Sequence, residues 1–279
     1  MAEKCVCPYG PGMKIEVVMD RKNIDKIAEN DDDRVLLAKL WDKIYAGIRK
    51  NIPAHTGFLS PREQQLATFL FGNTPGLTVF GGYEDAERNM LIYLPEYLDE
   101  SFLQQEDCPL VCLRATFYKD ETPTHRDFLG ALMGCGITRQ SVGDILVGEN
   151  SCDFFVTEEI APYILQNLES AGRVSVKVST ITLSQVRLPE AKLTEIRDTV
   201  SSLRLDSILA AGFRISRGTA ADYIAAGKAS IDGLPYEKPD KLITEGAKLS
   251  LRGMGKIRLT QIGHTTKKGR ISVTIHRYE

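Results

Sequence analysis

The sequence predicts an α+β chain in three pieces: an N-terminal helical segment, a middle α/β sandwich, and a C-terminal module of two helices plus β-strands. Three observations carry that reading. Apolar residues recur at helical intervals up to about residue 73. From about residue 77 strand-like and helix-like stretches alternate. Residues 204–233, RLDSILAAGFRISRGTAADYIAAGKASIDG, then give two short helices feeding a hairpin. The expected pieces are residues 1–76, 77–184, a connection at 185–202, and 203–279.

In the first piece, DDDRVLLAKLWDKIYAGIRKN sets Val35, Leu36, Leu40, Ile44 and Ile48 at helical spacing behind Asp31 to Asp33, whose charge suits a helix N-terminus. FLSPREQQLATFLFG repeats the device. Ser60 is placed to cap, Pro61 to open the first turn, Glu63 to close a capping box, and Gly72 to end the helix. Trp41 and His55 read as packing or surface residues.

In the middle piece, LTVFGGY, NMLIYLPEY and PLVCLRATFY have the β-branched and aromatic content of strands. THRDFLGALMGCGI reads as a helix capped by Thr124, with Phe128, Leu129, Leu132 and Met133 inward. DILVGENSCDFFVT reads as a hairpin through residues 148–151. EEIAPYILQNLESAG reads as a helix ending at Gly172, followed by the strand RVSVKVSTI. The expectation is helices on one side of a mostly antiparallel sheet. QVRLPEAKLTEIRDTVSS is polar, begins with a proline-containing stretch, and reads as the connection, with room for a short helix.

In the last piece the first helix starts near Leu205 and is expected to stop at Gly212. The second has Ser216 as N-cap, Arg217 in its first turn, Ala220, Ala221, Ile224 and Ala225 as a narrow apolar face, and Gly227 as terminator. Asp232-Gly233 supplies the positive-φ pair of a tight turn. Alternating strands, punctuated by glycines, continue to the end.

Composition narrows the chemistry. The 279 residues, 43% hydrophobic and 26% charged, describe a globular chain of two or three domains. The net charge of −2 hides an asymmetry. From residue 203 onward there are 14 basic and 7 acidic side chains; the remainder has 21 basic and 30 acidic. A basic module on an acidic body is the pattern of one domain meeting nucleic acid. No apolar run is long enough to span a bilayer, and the N-terminus lacks the apolar core of a secretory signal. A cytoplasmic location and free thiols at the six cysteines are therefore expected. Cys5-x-Cys7 is too close for a zinc knuckle, and no nucleotide-loop or hydrolase motif is present, so no metal, cofactor or catalytic residue is assigned. RGMGKIR lacks the spacing of a phosphate loop and reads as a turn displaying Lys256 and Arg258.

The residues expected to contact a phosphate backbone are Arg204, Arg214, Ser216, Arg217, Thr219, Lys228, Lys256, Arg258, Lys267, Lys268 and Arg270. Arginines offer forked contacts and lysines point charges. Arg214 has an alternative in pairing with Asp206 or Asp222, and KKGR at 267–270 one as a solvated hairpin tip. His125, Arg126 and Arg139 form a second candidate group in the middle piece.

The order R-L-D-x-x-L, S-R, I-x-x-G-K, strand and turn resembles the S4 RNA-binding module. It departs from the usual valine-rich strand and Asn-Gly by reading Ala229-Ser230-Ile231-Asp232-Gly233, which places a negative charge near the proposed RNA face. TPTHRDFLGALMGCGITRQSVGDILV, FLSPREQ and RGMGKIRL resemble the bacterial YlmH family, over about residues 35–279. That resemblance implies an S4-bearing, non-enzymatic protein that binds rRNA or tRNA on the large ribosomal subunit, as a monomer, in the rescue of stalled ribosomes. An RNA-modifying enzyme docking through S4, or a cell-division adaptor, are the alternatives.

Overall fold

The computed structural model describes residues 20–105, 108–118, 121–188 and 193–278. The expectations for Cys5 and Cys7 lie outside these residues. The fold is α+β, and the chain divides into two compact units that part near residue 190.

The first unit begins with α1 (Ile24–Ile27), α2 (Asp31–Lys50), β1 (Ala54–Leu59), α3 (Pro61–Phe71), β2 (Leu77–Phe80) and β3 (Asn89–Tyr93). The strands form an antiparallel sheet in the order β1-β3-β2. The unit continues with β4 (Leu110–Thr116), α4 (His125–Gly134), β5 (Val142–Val147), β6 (Ser151–Thr157), α5 (Ala161–Asn167), the short pair β7 (Ser170–Ala171) and β8 (Val174–Ser175), and β9 (Lys177–Ile181). Its main sheet runs β5-β6-β4-β9, antiparallel throughout.

The strand period of two explains how the layers stack. Along β3, Leu91 and Tyr93 enter one core with Leu37, Leu40, Trp41 and Ile44 of α2 and Leu66 and Leu70 of α3. Met90 and Ile92 point the other way, into a core with Phe58, Cys112 and Phe155. Phe154 and Val156, alternating with Phe155 on β6, join Phe128 and Leu132 of α4 and Ile164 of α5. The order is helices, sheet, sheet, helices, and every residue of β6 is buried as a result.

This differs from expectation in four ways. Ala54–Leu59 is a strand of the same sheet as Leu77–Phe80 and Asn89–Tyr93, so residues 1–76 are not a purely helical piece. The main sheet carries helices on one face, but its other face is covered by the first sheet. Val35 is 54% exposed, because the inner stripe of α2 runs through Leu37, Leu40, Trp41 and Ile44. Helix α5 ends at Asn167, and Gly172 (φ 62°) instead turns the β7–β8 hairpin. The capping boxes at Ser60/Glu63 and Thr124/Asp127 are both formed.

Two arginines tie this unit together. Arg88 donates through Nε to the Val142 carbonyl (3.1 Å) and through Nη2 to the carbonyls of Phe58 (2.8 Å) and Arg139 (3.2 Å), stapling one sheet to the other. Arg114 makes a fork on Asp153 at 2.6 and 2.7 Å. Asp153 also accepts from the Arg187 backbone N–H, and Arg114 donates to the Gln185 carbonyl, so the pair holds residues 185–187 against β4.

The second unit comprises β10 (Leu193–Val200), α6 (Leu205–Phe213), α7 (Arg217–Ala225), β11 (Ala229–Ile231), β12 (Leu234–Tyr236), β13 (Lys248–Leu251), β14 (Gly255–Thr265) and β15 (Ile271–Tyr278). One antiparallel sheet runs β10-β15-β14-β13-β11-β12. Its inner face, Ile196, Leu249, Ile257, Leu259, Val273 and Ile275, packs on Leu205, Ile208, Leu209, Phe213, Ala220 and Ile224 of the two helices. Residues 185–202, expected as a connection, thus contain an edge strand paired over its whole length with β15.

Gly212 does not end α6. The helix continues to Phe213, and Arg214 takes the left-handed conformation (φ 56°) beyond it. Gly212 is glycine because a Cβ there would sit 2.5 Å from Ile257 Cδ1 and 3.3 Å from Ile275 Cγ2, where helix and sheet meet most closely. Gly227 (φ 65°) does follow the end of α7, and Asp232-Gly233 (φ 48° and 87°) forms the β11–β12 turn.

Candidate nucleic-acid interface

The corner where β10 hands over to α6 is built by local rules. The α6 N–H groups at Leu205 and Asp206 donate to the carbonyls of Lys241 (2.8 Å) and Pro239 (3.2 Å), which fixes the start of the helix without a side-chain cap. Ser216 caps α7 by accepting from the Thr219 N–H at 3.0 Å, and the two hydroxyls lie 2.8 Å apart. Both candidate hydroxyls therefore serve the helix terminus.

Between these two N-termini lies Asp206, 5% exposed. Arg204 meets it with a fork, Nε to Oδ1 and Nη2 to Oδ2, both at 3.3 Å. Arg217 meets it through Nη2 at 2.9 Å and reaches the Ser201 hydroxyl through Nη1 at 3.3 Å. Ser207 adds a hydroxyl at 3.2 Å. Burial alone pushes the Asp206 carboxyl up, but the guanidiniums of Arg217 and Arg204 outweigh it and hold the group below the ordinary carboxylate range. Asp206 is thus a carboxylate with two cations on it. Each guanidinium has five N–H donors and commits about two, so the remainder face outward on side chains 37% and 50% exposed. One negative charge holding two positive ones leaves a surplus suited to an anion.

The other candidates gather around this corner only in part. Arg270 folds onto β10, donating to the Thr199 hydroxyl at 2.9 Å and to the Thr199 carbonyl. Thr199 and Ser201 are two residues apart, so the β14–β15 tip and Arg217 flank one end of β10. Lys267 and Lys268 are exposed at that tip. Arg214 is exposed in its left-handed position and pairs with neither Asp206 nor Asp222. Lys228 lies beyond the far end of α7, its ammonium 5.0 Å from the Tyr223 ring centroid. Lys256 and Arg258 alternate with the buried Ile257 and Leu259 and so project from the sheet face opposite the helices. The eleven residues do not form one surface.

Two basic residues escaped the sequence reading. Lys241, 5.8 Å from the Tyr236 ring centroid, is brought beside α6 by its own carbonyl, which accepts from Leu205. The Arg252 backbone N–H donates to the Lys228 carbonyl, placing Arg252 next to that lysine. The charge run in YEKPDK was the available signal for the first; the second depends on sheet pairing.

In the first unit, Arg139 donates to the carbonyls of Val142 and Gly143, and burial beside Arg88 pushes it down to about 10. Burial, then Arg139, lowers His125. Asp127, two positions after His125, is spent on the capping box of α4. Among the described residues, no group of His, Cys, Asp and Glu is arranged to hold a metal ion, and no helix is long and apolar enough to cross a membrane. Cys112 and Cys152 are buried, and burial pushes the Cys112 thiol up to about 12.

The geometry defines a two-unit α+β protein whose C-terminal unit displays an arginine pair on a buried carboxylate. Residues 115–185 match a family model described as "Putative RNA-binding domain in YlmH". The ribosome-associated protein quality control protein P2 of Bacillus subtilis is 36% identical over 224 residues, covering 80% of this chain and 86% of that protein. The cell division protein ylmH of Streptococcus pneumoniae, a solved structure, is 20% identical with a TM-score of 0.47, over 58% of this chain and 98% of that one. The chain belongs to the YlmH family.

Proposed function

We propose that this protein is a non-enzymatic RNA-binding protein of the ribosome, whose residues 193–278 form an S4-type module gripping structured rRNA or tRNA by phosphate contacts. The observation that carries the reading is the Arg204–Asp206–Arg217 cluster: two guanidiniums held side by side, with donors left over, on a module with a basic excess. The description of the matching family model and the name of the Bacillus relative support RNA as the ligand and ribosome quality control as the setting, and a cytoplasmic location is part of the same proposal. The large subunit is the proposed docking site, with the protein bound as a monomer.

Co-sedimentation with purified large and small subunits across a salt series tests this. Binding to the large subunit should weaken steeply with salt, because each phosphate contact releases counterions. An Arg217→Ala, Lys228→Ala variant should bind roughly tenfold or more weakly, with a shallower salt dependence. Failure of the native protein to bind either subunit or tRNA would overturn the reading and favour a protein-binding adaptor.

A further inference from the structure

Helix α2 carries a column of stacked rings that runs out of the core. Phe71 of α3 lies against Trp41, centroids 6.1 Å apart and planes 11° apart. Trp41 in turn lies against Tyr45, at 5.2 Å and 20°. Trp41 is only 6% exposed and Tyr45 is 38% exposed, so the column begins in the core and ends at the surface. The reason is helical spacing: Trp41, Tyr45 and Arg49 follow one another at i, i+4 and i+8 along a single stripe. Arg49 and Lys50 follow on the next turn of the same helix and line the same groove as Tyr45.

These residues line a groove of about 720 Å³, within the size range of small-ligand sites. Its charges are unequal in availability. Arg21 is paired with Asp42 at 3.4 Å, and the Asp20 carboxylate accepts from the Lys22 N–H as the cap of the opening turn. Among the described residues, Arg49 and Lys50 have no ion-pair partner. An exposed ring backed by two more, with an arginine and a lysine lining the same groove, provides a flat stacking surface together with cations for phosphate.

We infer that this groove is a binding site for single-stranded RNA, with one base stacked on Tyr45 and covered by Arg49, and the adjoining phosphate held by Lys50. Stacking of bases on aromatic rings combined with basic side chains is how unpaired strands are held with little regard to sequence. A duplex, whose bases are already stacked on one another, has no free base to offer. The site lies in the N-terminal part of the first unit, outside residues 115–185 and outside the arginine cluster of the second unit, and it does not depend on that cluster's ligand.

Trp41 is the single tryptophan of the chain, and it touches Tyr45, so its emission reports on the groove directly. The full-length protein would be titrated with oligouridylate and oligoadenylate hexamers while tryptophan fluorescence is followed, with an RNA duplex of equal length as competitor. The expected result is a saturable change in emission that weakens with salt and is poorly competed by the duplex. Tyr45→Leu, and separately Arg49→Glu with Lys50→Glu, should each weaken binding by about tenfold or more, with circular dichroism unchanged. Arg217→Ala with Lys228→Ala should leave the change intact. No change in the native protein, equal affinity in folded Tyr45→Leu, or loss in the Arg217 and Lys228 variant would each overturn the assignment.

Discussion

Asp153 of the first unit and Asp206 of the second are both buried aspartates held by arginine, and they are held differently. Asp153 is 2% exposed and meets a single arginine, Arg114, whose side chain is 14% exposed. A backbone N–H from Arg187 takes part of its remaining capacity, and Arg114 spends a further donor on Gln185. One charge is matched to one, and nothing is left to present. Asp206 meets two arginines, each more than a third exposed, with donors uncommitted. The same chemistry therefore closes a structure in one place and arms a surface in the other. The deciding quantity is the ratio of cations to carboxylate together with the exposure of the cations.

The sharpest way to break this contrast is to remove Arg114. Arg114→Ala leaves Asp153 buried without its cation, and breaking a buried pair from one side costs about 3–5 kcal/mol. Urea denaturation should show that loss, while the remaining folded protein keeps its affinity for RNA. A loss below about 1 kcal/mol would mean that water reaches Asp153 and that the pair is not closed.

How much of this was legible in the sequence follows the range of each interaction. Ser60 with Glu63, Thr124 with its helix, Ser216 as a cap, and Asp232-Gly233 as a turn were readable, because each is satisfied within a few residues. The pairing of β1 with β3, across some thirty residues, was not, and so a strand was absorbed into a helical piece. Residues 193–200 were read as a connection because an edge strand with one wetted face carries many polar residues. Gly212 was given the commonest role of a glycine near a helix end, whereas the sheet beneath it is what requires it. The arginines at 204 and 217 were legible as a pair by type and motif. Their shared carboxylate was not, because Asp206 reads as an ordinary first-turn acid until α7 folds over it. The separation of Lys256 and Arg258 from the others was present in the alternation with Ile257 and Leu259, and required only the knowledge of which face the helices cover.

A smaller effect, in acid, probes the armed side of the comparison. The Asp206 carboxyl is held below its unfolded value, which is about 3.9. Its contribution to stability is therefore complete above that pH and is lost as the pH falls through the lower folded value. Asp206→Asn should reduce stability at neutral pH by on the order of 1 kcal/mol, since solvent screens the half-exposed arginines. The gap between the two proteins should narrow as both are taken below about pH 4. Urea midpoints at pH 7 and pH 3 would measure it. A gap that widens in acid would show that the folded carboxyl titrates above the unfolded one, so that burial outweighs the two guanidiniums, and the pairing scheme would have to be redrawn.

The smallest expected effect separates cations that are spent from cations that are available within one hairpin. Lys267 and Lys268 are exposed at the β14–β15 tip and have no ion-pair partner among the described residues, whereas Arg270, two positions on, is bound to Thr199. Lys267→Ala with Lys268→Ala should leave stability within about 0.5 kcal/mol, as is usual for exposed positions. If the tip reaches RNA, the double variant should lower the slope of log affinity against log salt by at most about two, nearly one for each phosphate that the tip no longer neutralises. Arg270→Ala should do the reverse, loosening the join between β10 and the hairpin while changing the salt slope little. Equal salt slopes for the native protein and the double lysine variant would exclude the hairpin tip from the RNA contact, and the tip would then be a solvated turn.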